Sequence, residues 1–186
     1  MSIIIAARGP RGEVCLGCDA ITVNEGRNAR VDRYKKIFRN GEFMMGATGP
    51  VIILQALELH LTPPPIKGDL RKYLITEFSP AVRTVMKSMD AEVVTPAEGT
   101  LLLGRALICV RGRIFEMDAG YAIQEPAYGY GAVGCADQEA HAAMFTARKL
   151  KPSLSARQLV RLGLEAASQF DLAIRPPFTF LHSRRP

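Results

Sequence analysis

Met1-Ser2-Ile3-Ile4-Ile5-Ala6-Ala7-Arg8 opens the chain, and the rest of the sequence is read outward from it. Three consecutive isoleucines favour a β-strand buried on both faces. The stretch has no basic n-region and no small-residue cleavage site, so it does not read as a signal peptide. Removal of Met1 leaves Ser2 with a free α-amine beside its own hydroxyl. Such an amine has an ordinary pKa of roughly 7.7–8, so it is partly neutral at physiological pH and can act as base for a hydroxyl nucleophile. If Met1 is kept, Ser2 has no free amine and this chemistry is closed.

Gly9-Pro10-Arg11-Gly12 follows as a turn signal, and Glu13-Val14-Cys15-Leu16-Gly17-Cys18-Asp19 reads as a second strand, antiparallel to the first. Asp19 closes an apolar run, an unusual place for a carboxylate unless it caps the next turn or does chemistry. Residues 21–23 continue briefly as a strand, and 24–28 read as a loop. Residues 34–39 read as a third strand carrying Lys36, Asn40-Gly41 signals a hairpin, and 42–47 form the fourth strand. Gly49-Pro50 starts a helix with proline at its favoured first position, and Thr62-Pro63-Pro64-Pro65 ends it. A second helical region spans 69–89, with a break expected at Ser79-Pro80.

Strands are expected again at 101–110 and 113–117, a hairpin around Arg111-Gly112, with a short strand at 121–123. The glycine-rich 128–134 segment leads to helices at 137–150 and 155–170, and the tail 171–182 reads as two short strands around Pro176-Pro177. The order ββββ, αα, βββ, αα, ββ is grouped rather than alternating, which argues for an α+β fold. Two sheets packed face to face, each with a pair of helices on its outer side, accommodate it. The 186 residues fit one domain, 1–186, with no linker or repeat.

Composition narrows the function classes. Hydrophobic residues make up 48% and charged residues 23%, within the range of globular proteins, and no apolar run approaches the roughly 18 residues that span a bilayer. The net charge of +6 is carried by scattered lysines and arginines, the densest group being Arg33-Tyr34-Lys35-Lys36-Ile37-Phe38-Arg39, so neither nucleic acid nor a membrane is an expected partner. Cys15 and Cys18 have C-x-x-C spacing, but they sit within a strand and Cys109 and Cys135 are isolated. They read as buried small hydrophobes, with no metal, no cofactor and a reducing cytoplasm as expectations. Gly129-Tyr130-Gly131-Ala132-Val133-Gly134 matches G-x-G-x-x-G, yet no acidic residue stands about 20 positions on, where a dinucleotide site needs one.

Ser2, Asp19, Lys36 and the Gly46-Ala47-Thr48-Gly49 segment form the informative constellation. A lysine beside a carboxylate near the N-terminus supplies a cation that lowers the pKa of neighbouring acids. A backbone N–H at a strand-to-helix turn such as Gly49 can hold an oxyanion. A structural Asp19–Lys36 ion pair has the same spacing.

In combination and order these motifs resemble the proteasome β-type subunits, closest in size and style to the bacterial HslV peptidase or one of its less common bacterial relatives. The resemblance runs from Ser2 to about Phe170. It rests on the nucleophile with its short apolar strand, the strand ending in Asp19, the Lys35-Lys36-Ile37-Phe38-Arg39 pattern and the Gly46-x-x-Gly49 turn. It implies the four-layer αββα sandwich of N-terminal-nucleophile hydrolases. It also implies a peptidase with Ser2 as nucleophile, Asp19 and Lys36 as catalytic partners, and the Gly49 N–H at the oxyanion. Asp171 roughly matches a later family aspartate, and Thr22, Ala47 and Thr48 fall where the family contacts peptide. The implied partners are further copies in a ring, peptide or unfolded-protein substrates and an ATP-dependent unfoldase. Two positions depart from the pattern: the family nucleophile is usually threonine, and the family Gly-Ser-Gly is matched here by Gly131-Ala132-Val133-Gly134, which puts Ala132 where a serine joins the proton network. The alternative is a catalytically inactive ring or scaffold subunit.

Overall fold

The computed structural model describes residues 2–24, 28–31, 34–91, 93–94, 101–102 and 104–183, with backbone alone at 22–24, 28–30, 93–94 and 101–102. The expected loop at 24–28, Arg33 of the basic cluster and Met1 lie wholly or partly outside the described residues.

The first half carries strands β1 (Ile3–Arg8), β2 (Val14–Cys18), β3 (Ile21–Asn24), β4 (Asn28–Val31), β5 (Ile37–Asn40) and β6 (Phe43–Ala47). Helix α1 (Val51–Gln55) runs on into a π-turn, Ala56–His60, and α2 (Leu70–Tyr73) into another, Leu74–Phe78, which leads directly into α3 (Ser79–Ser88). Then come β7 (Val93–Val94), β8 (Leu101–Leu102), β9 (Ala106–Val110), β10 (Arg113–Met117), β11 (Ile123–Gln124) and β12 (Tyr130–Gly134), followed by α4 (Asp137–Leu150), α5 (Ala156–Phe170) and β13 (Thr179–His182).

Two antiparallel sheets carry the fold, in the orders β12-β1-β2-β13 and β11-β10-β9-β6-β5. β1 is therefore an interior strand, with Ile3, Ile4 and Ile5 all fully buried. Their alternation decides where they go. Ile3 and Ile5 join Ala7 and Cys15 against Ala140 and Met144 of α4 and Leu159, Val160 and Leu164 of α5. Ile4 and Ala6 turn the other way, into a cluster with Leu16, Met44, Leu107, Cys109 and Ile114 that joins the two sheets. On its other face the second sheet packs Phe43, Met45, Ile108 and Phe115 against Ile53, Leu57, Phe78, Val82 and Met86. Each isoleucine so buried contributes about 1.5–3 kcal/mol relative to exposure, which is why a run with no polar alternation is stable here.

Several elements differ from the sequence reading. The segment 130–134 is a strand, not an approach loop, and pairs with β1 across its whole length. The helix does not break at Ser79-Pro80: the Ser79 N–H reaches back to the Leu74 carbonyl, so the turn widens just ahead of the proline that lacks an N–H. The third strand starts at Ile37 rather than 34, and it lies in the second sheet rather than beside β1. The expected strand at 101–110 is two pieces, Leu101–Leu102 pairing with Val93–Val94 and Ala106–Val110 pairing with β6. The tail supplies one strand, β13, on the edge beside β2. The Asn40-Gly41 hairpin forms, and the Asn40 side chain also donates to the carbonyls of Leu57 and Leu61, closing the end of the π-turn it faces.

Candidate active site

The site is built at the end of the two sheets where β1 begins and β2 ends. Asp19 directly follows β2 and is 1% exposed. Its Oδ1 accepts the Ile3 N–H at 3.1 Å, and its Oδ2 accepts the Ile21 N–H at 3.0 Å. Lys36 precedes β5 on the facing sheet and is 6% exposed. Its Nζ donates to both Asp19 oxygens, at 2.9 and 2.8 Å, and also to the Ile21 carbonyl. Every strong valence of the carboxylate is thus met, which is what lets a buried ion pair persist. One Asp19 oxygen is shared between Lys36 and the peptide that joins Ser2 to Ile3, so the lysine is tied to the backbone of the first strand.

Ser2 is half-buried. Its carbonyl accepts the Cys135 N–H at 2.9 Å, extending the β1–β12 ladder beyond Gly134. Gly134, at φ 117°, leaves room for this approach: a Cβ there would fall 2.0 Å from the Ser2 oxygen and 2.9 Å from the Thr48 methyl. Thr48 itself turns its N–H and its hydroxyl to the Arg105 carbonyl, at 2.8 and 3.1 Å. Gly49 has φ 111°, a conformation that disfavours any side chain, and it is exposed at the turn into α1. Ser2, Asp19, Lys36, Thr48 and Gly49 therefore gather at one end of the sheets.

The remaining residues singled out in the sequence are placed differently. Ala47 ends β6, with its side chain in the helix-facing apolar cluster and its backbone opposite Ala106. Thr22 lies on β3 opposite Arg30, and its side chain is outside the described residues. Asp171 ends α5; its Oδ1 accepts the Ala173 N–H at 2.8 Å, holding the loop whose Arg175 carbonyl meets the Ala20 N–H.

Ala132 does not stand where the motif comparison put it. The register pairs Ala132 with Ile5, two residues inside the strand, and its methyl is buried among the helix-facing residues. The β12 end beside Ser2 is occupied by Gly134 and Cys135. Pairing along β12, rather than the spacing of its glycines, sets which residues stand at the Ser2 end. The Tyr130-Gly131-Ala132-Val133 alternation was the available signal.

The cysteines are all free. Cys15 faces the helices and Cys18 the second sheet, so the C-x-x-C pair cannot meet. Burial pushes both thiols up to about 12, with the Asp19 charge adding to the rise at Cys18. Among the described residues no group of three acidic, histidine or cysteine side chains is placed to hold a metal, and no helix is long and apolar enough to cross a membrane.

No family pattern matches the sequence, and no curated protein matches it. Solved structures do. The chain is similar to Thiobacillus denitrificans BPH in complex with epoxomicin, with a TM-score of 0.78, 21% identity and 97% of each chain covered. Eukaryotic HslV from Trypanosoma brucei gives a TM-score of 0.68 at 18% identity, covering 97% of this chain and 98% of that one. The helical assembly of the Anbu complex from Pseudomonas aeruginosa gives 0.65 at 12%, covering 97% and 80%. The fold is that of the HslV-like, proteasome β-type structures.

Proposed function

We propose that this chain is a peptidase subunit of a bacterial proteasome-like ring, hydrolysing peptide bonds with Ser2 as an N-terminal nucleophile exposed by removal of Met1. The carrying observation is the Asp19 carboxylate, which bonds both the Ile3 N–H and the buried Lys36 ammonium. A buried lysine held at the start of the first strand costs stability unless paired, and its place beside residue 2 suits it to chemistry there.

In this reading the Ser2 Oγ attacks the scissile carbonyl while its proton passes to the α-amine, directly or through water. The Lys36 cation stabilises the developing alkoxide, and the Gly49 N–H holds the oxyanion of the tetrahedral intermediate. The protonated α-amine gives that proton to the leaving amine as the C–N bond breaks. Water then attacks the Ser2 ester, its OH staying with the acyl group and its remaining proton passing through the α-amine to the Ser2 oxygen. The peptide lies as an added strand between Thr22 on one side and Ala47 and Thr48 on the other, held through backbone hydrogen bonds. Asp171 takes an indirect part, holding the loop whose Arg175 carbonyl meets the Ala20 N–H beside Asp19. No cofactor takes part.

The layers stack as αββα in one domain over 1–186, supported by the three apolar clusters that separate helices from sheet, sheet from sheet and sheet from helices. Four free cysteines suit a reducing cytoplasm. Copies of the chain form the ring, and an ATP-dependent unfoldase delivers unfolded protein to it.

Intact mass and N-terminal mass of the purified protein, before and after an epoxyketone, test the proposal. An epoxyketone needs both the hydroxyl and the free amine, so an adduct on residue 2 of a chain lacking Met1 is expected. Retained Met1, with no adduct and no peptide hydrolysis, assigns the chain instead to a catalytically silent ring or scaffold subunit.

A further inference from the structure

Arg105 grips both walls of the candidate site. Its carbonyl accepts the N–H and the hydroxyl of Thr48, so its backbone holds the Thr48–Gly49 turn. The neighbouring Gly104 is pressed so tightly to this turn that a Cβ there would fall 1.6 Å from the Thr48 oxygen. The Arg105 guanidinium reaches the other wall, where Nη1 pairs with Asp137, the first residue of α4, and Nη2 lies 3.8 Å from Glu116 of β10. Asp137 stands two residues beyond Cys135, whose N–H holds the Ser2 carbonyl. The His141 ring, one turn along α4, meets the Asp137 carbonyl at 2.8 Å. One residue therefore connects, through its backbone and its side chain, the turn that carries the Gly49 N–H to the segment that seats Ser2.

We infer that Arg105 is a positioning residue, fixing the separation between the Thr48–Gly49 turn and Ser2 by bridging β9 to the start of α4. This rests on the reading of Ser2 as nucleophile. Arg105 touches no reacting atom; it acts through the two walls. With the Arg105 side chain 44% exposed, its pair with Asp137 contributes little to global stability, whereas a displacement of about 1 Å between an oxyanion donor and a nucleophile is enough to cost about 100-fold in rate.

The test compares Arg105→Ala and Arg105→Lys with the parent chain, using amide hydrogen exchange and steady-state cleavage of a fluorogenic peptide. In Arg105→Ala the Thr48 amide is expected to exchange about tenfold faster, while the β9 amides and the thermal midpoint stay unchanged. The expected kinetic effect is a fall in kcat of about 10- to 100-fold with KM nearly constant, and Arg105→Lys, which still reaches Asp137, recovers most of both. Unchanged Thr48 exchange in Arg105→Ala overturns the tether, and faster exchange with unchanged kcat overturns the positioning role. If Ser2→Ala cleaves as well as the parent chain, it is the peptidase reading that fails, and Thr48 exchange alone then decides whether Arg105 joins the walls.

Discussion

Residue 2 carries the proposed nucleophile as a single hydroxyl, so its substitution tests the peptidase reading directly. Ser2→Ala is expected to abolish peptide cleavage with circular dichroism and assembly unchanged, because it removes one half-buried oxygen. Ser2→Thr is expected to retain activity, since the added methyl restricts the rotamer without removing the nucleophile; loss of activity in Ser2→Thr with full activity in Ser2→Ala would reject the assignment. Lys36→Ala differs in kind. It leaves the Asp19 carboxylate, 1% exposed, without its cation, and breaking a buried pair costs about 3–5 kcal/mol. Urea denaturation should therefore show Lys36→Ala much less stable than Ser2→Ala, and equal midpoints would contradict the buried geometry. Glu116 offers a pH test. Burial raises its carboxyl above the ordinary 4.5, against the lowering effect of His141 and Arg105 and with Asp137 adding to the rise. The native state then holds the proton more tightly than the unfolded chain, so stability rises as pH falls from the raised value towards 4.5. Glu116→Gln should flatten that rise in a pH series of melting midpoints; an unaltered slope would assign it to another group. At this scale the sequence was informative where a residue broke its local pattern, as Asp19 does at the end of an apolar strand. It was silent on Arg105, whose role needs the contact of 105 with both 48 and 137, and spacing along the chain does not encode that contact.

At the scale of elements, periodicity carries only as far as the residue types that express it. β1, β2 and the helices 137–150 and 156–170 were legible because apolar runs and 3.6-residue spacing are strong signals, and Ser155 with Gln158 forms the capping box that fixes where the last helix starts. β12 was not legible, because three of the seven residues from 128 to 134 are glycines, which mimic a loop while leaving room for the Glu116 side chain at Gly131 and for the Ser2 carbonyl at Gly134. Ala132 lies within this strand, paired with Ile5. This placement has a measurable consequence: Ala132→Ser would bury a hydroxyl opposite Ile5, among Tyr130, Ile3 and the α4–α5 residues. The expected outcome is a loss of about 1–3 kcal/mol with no gain in cleavage, read by denaturation and peptide assay together. A more active and equally stable variant would mean that the side chain reaches the Ser2 end after all, against the observed pairing. Pro80 makes the complementary point. A helix breaker in sequence is accommodated when a π-turn precedes it, an adjustment that follows from the tertiary packing of Phe78 and Val82 rather than from local propensity.

For the whole molecule, grouped rather than alternating elements already pointed to two sheets with helices, and both faces of each sheet carry a buried apolar cluster. Which strands share a sheet was less accessible: β5 and β6 join β9 and β10 rather than β1 and β2, and Ile4, Leu16, Met44 and Leu107 meet face to face between the two sheets. That arrangement brings Lys36 to Asp19 from across the interface instead of from an adjacent strand. The same surface accounting bears on assembly. Leu59, Leu150, Phe170 and Leu172 are 70, 82, 74 and 85% exposed, and Phe145 and Ile75 are 46% exposed. Leu59, Ile75, Phe145, Leu150 and Phe170 lie on helical segments and Leu172 just beyond α5, and exposed apolar surface is where self-association is expected to form. Sedimentation of the purified chain at micromolar concentration is therefore expected to give a mass that is a multiple of 20.3 kDa. Leu59→Glu combined with Ile75→Glu places charge on the α1–α3 side without touching either sheet, and should shift the distribution towards the 20.3 kDa species while the melting midpoint of the subunit is preserved. If the unsubstituted chain sediments only as a monomer throughout, self-association fails as a property of this chain. The site at the β1–β2 end would then have to act, if it acts, in an isolated subunit open to solvent.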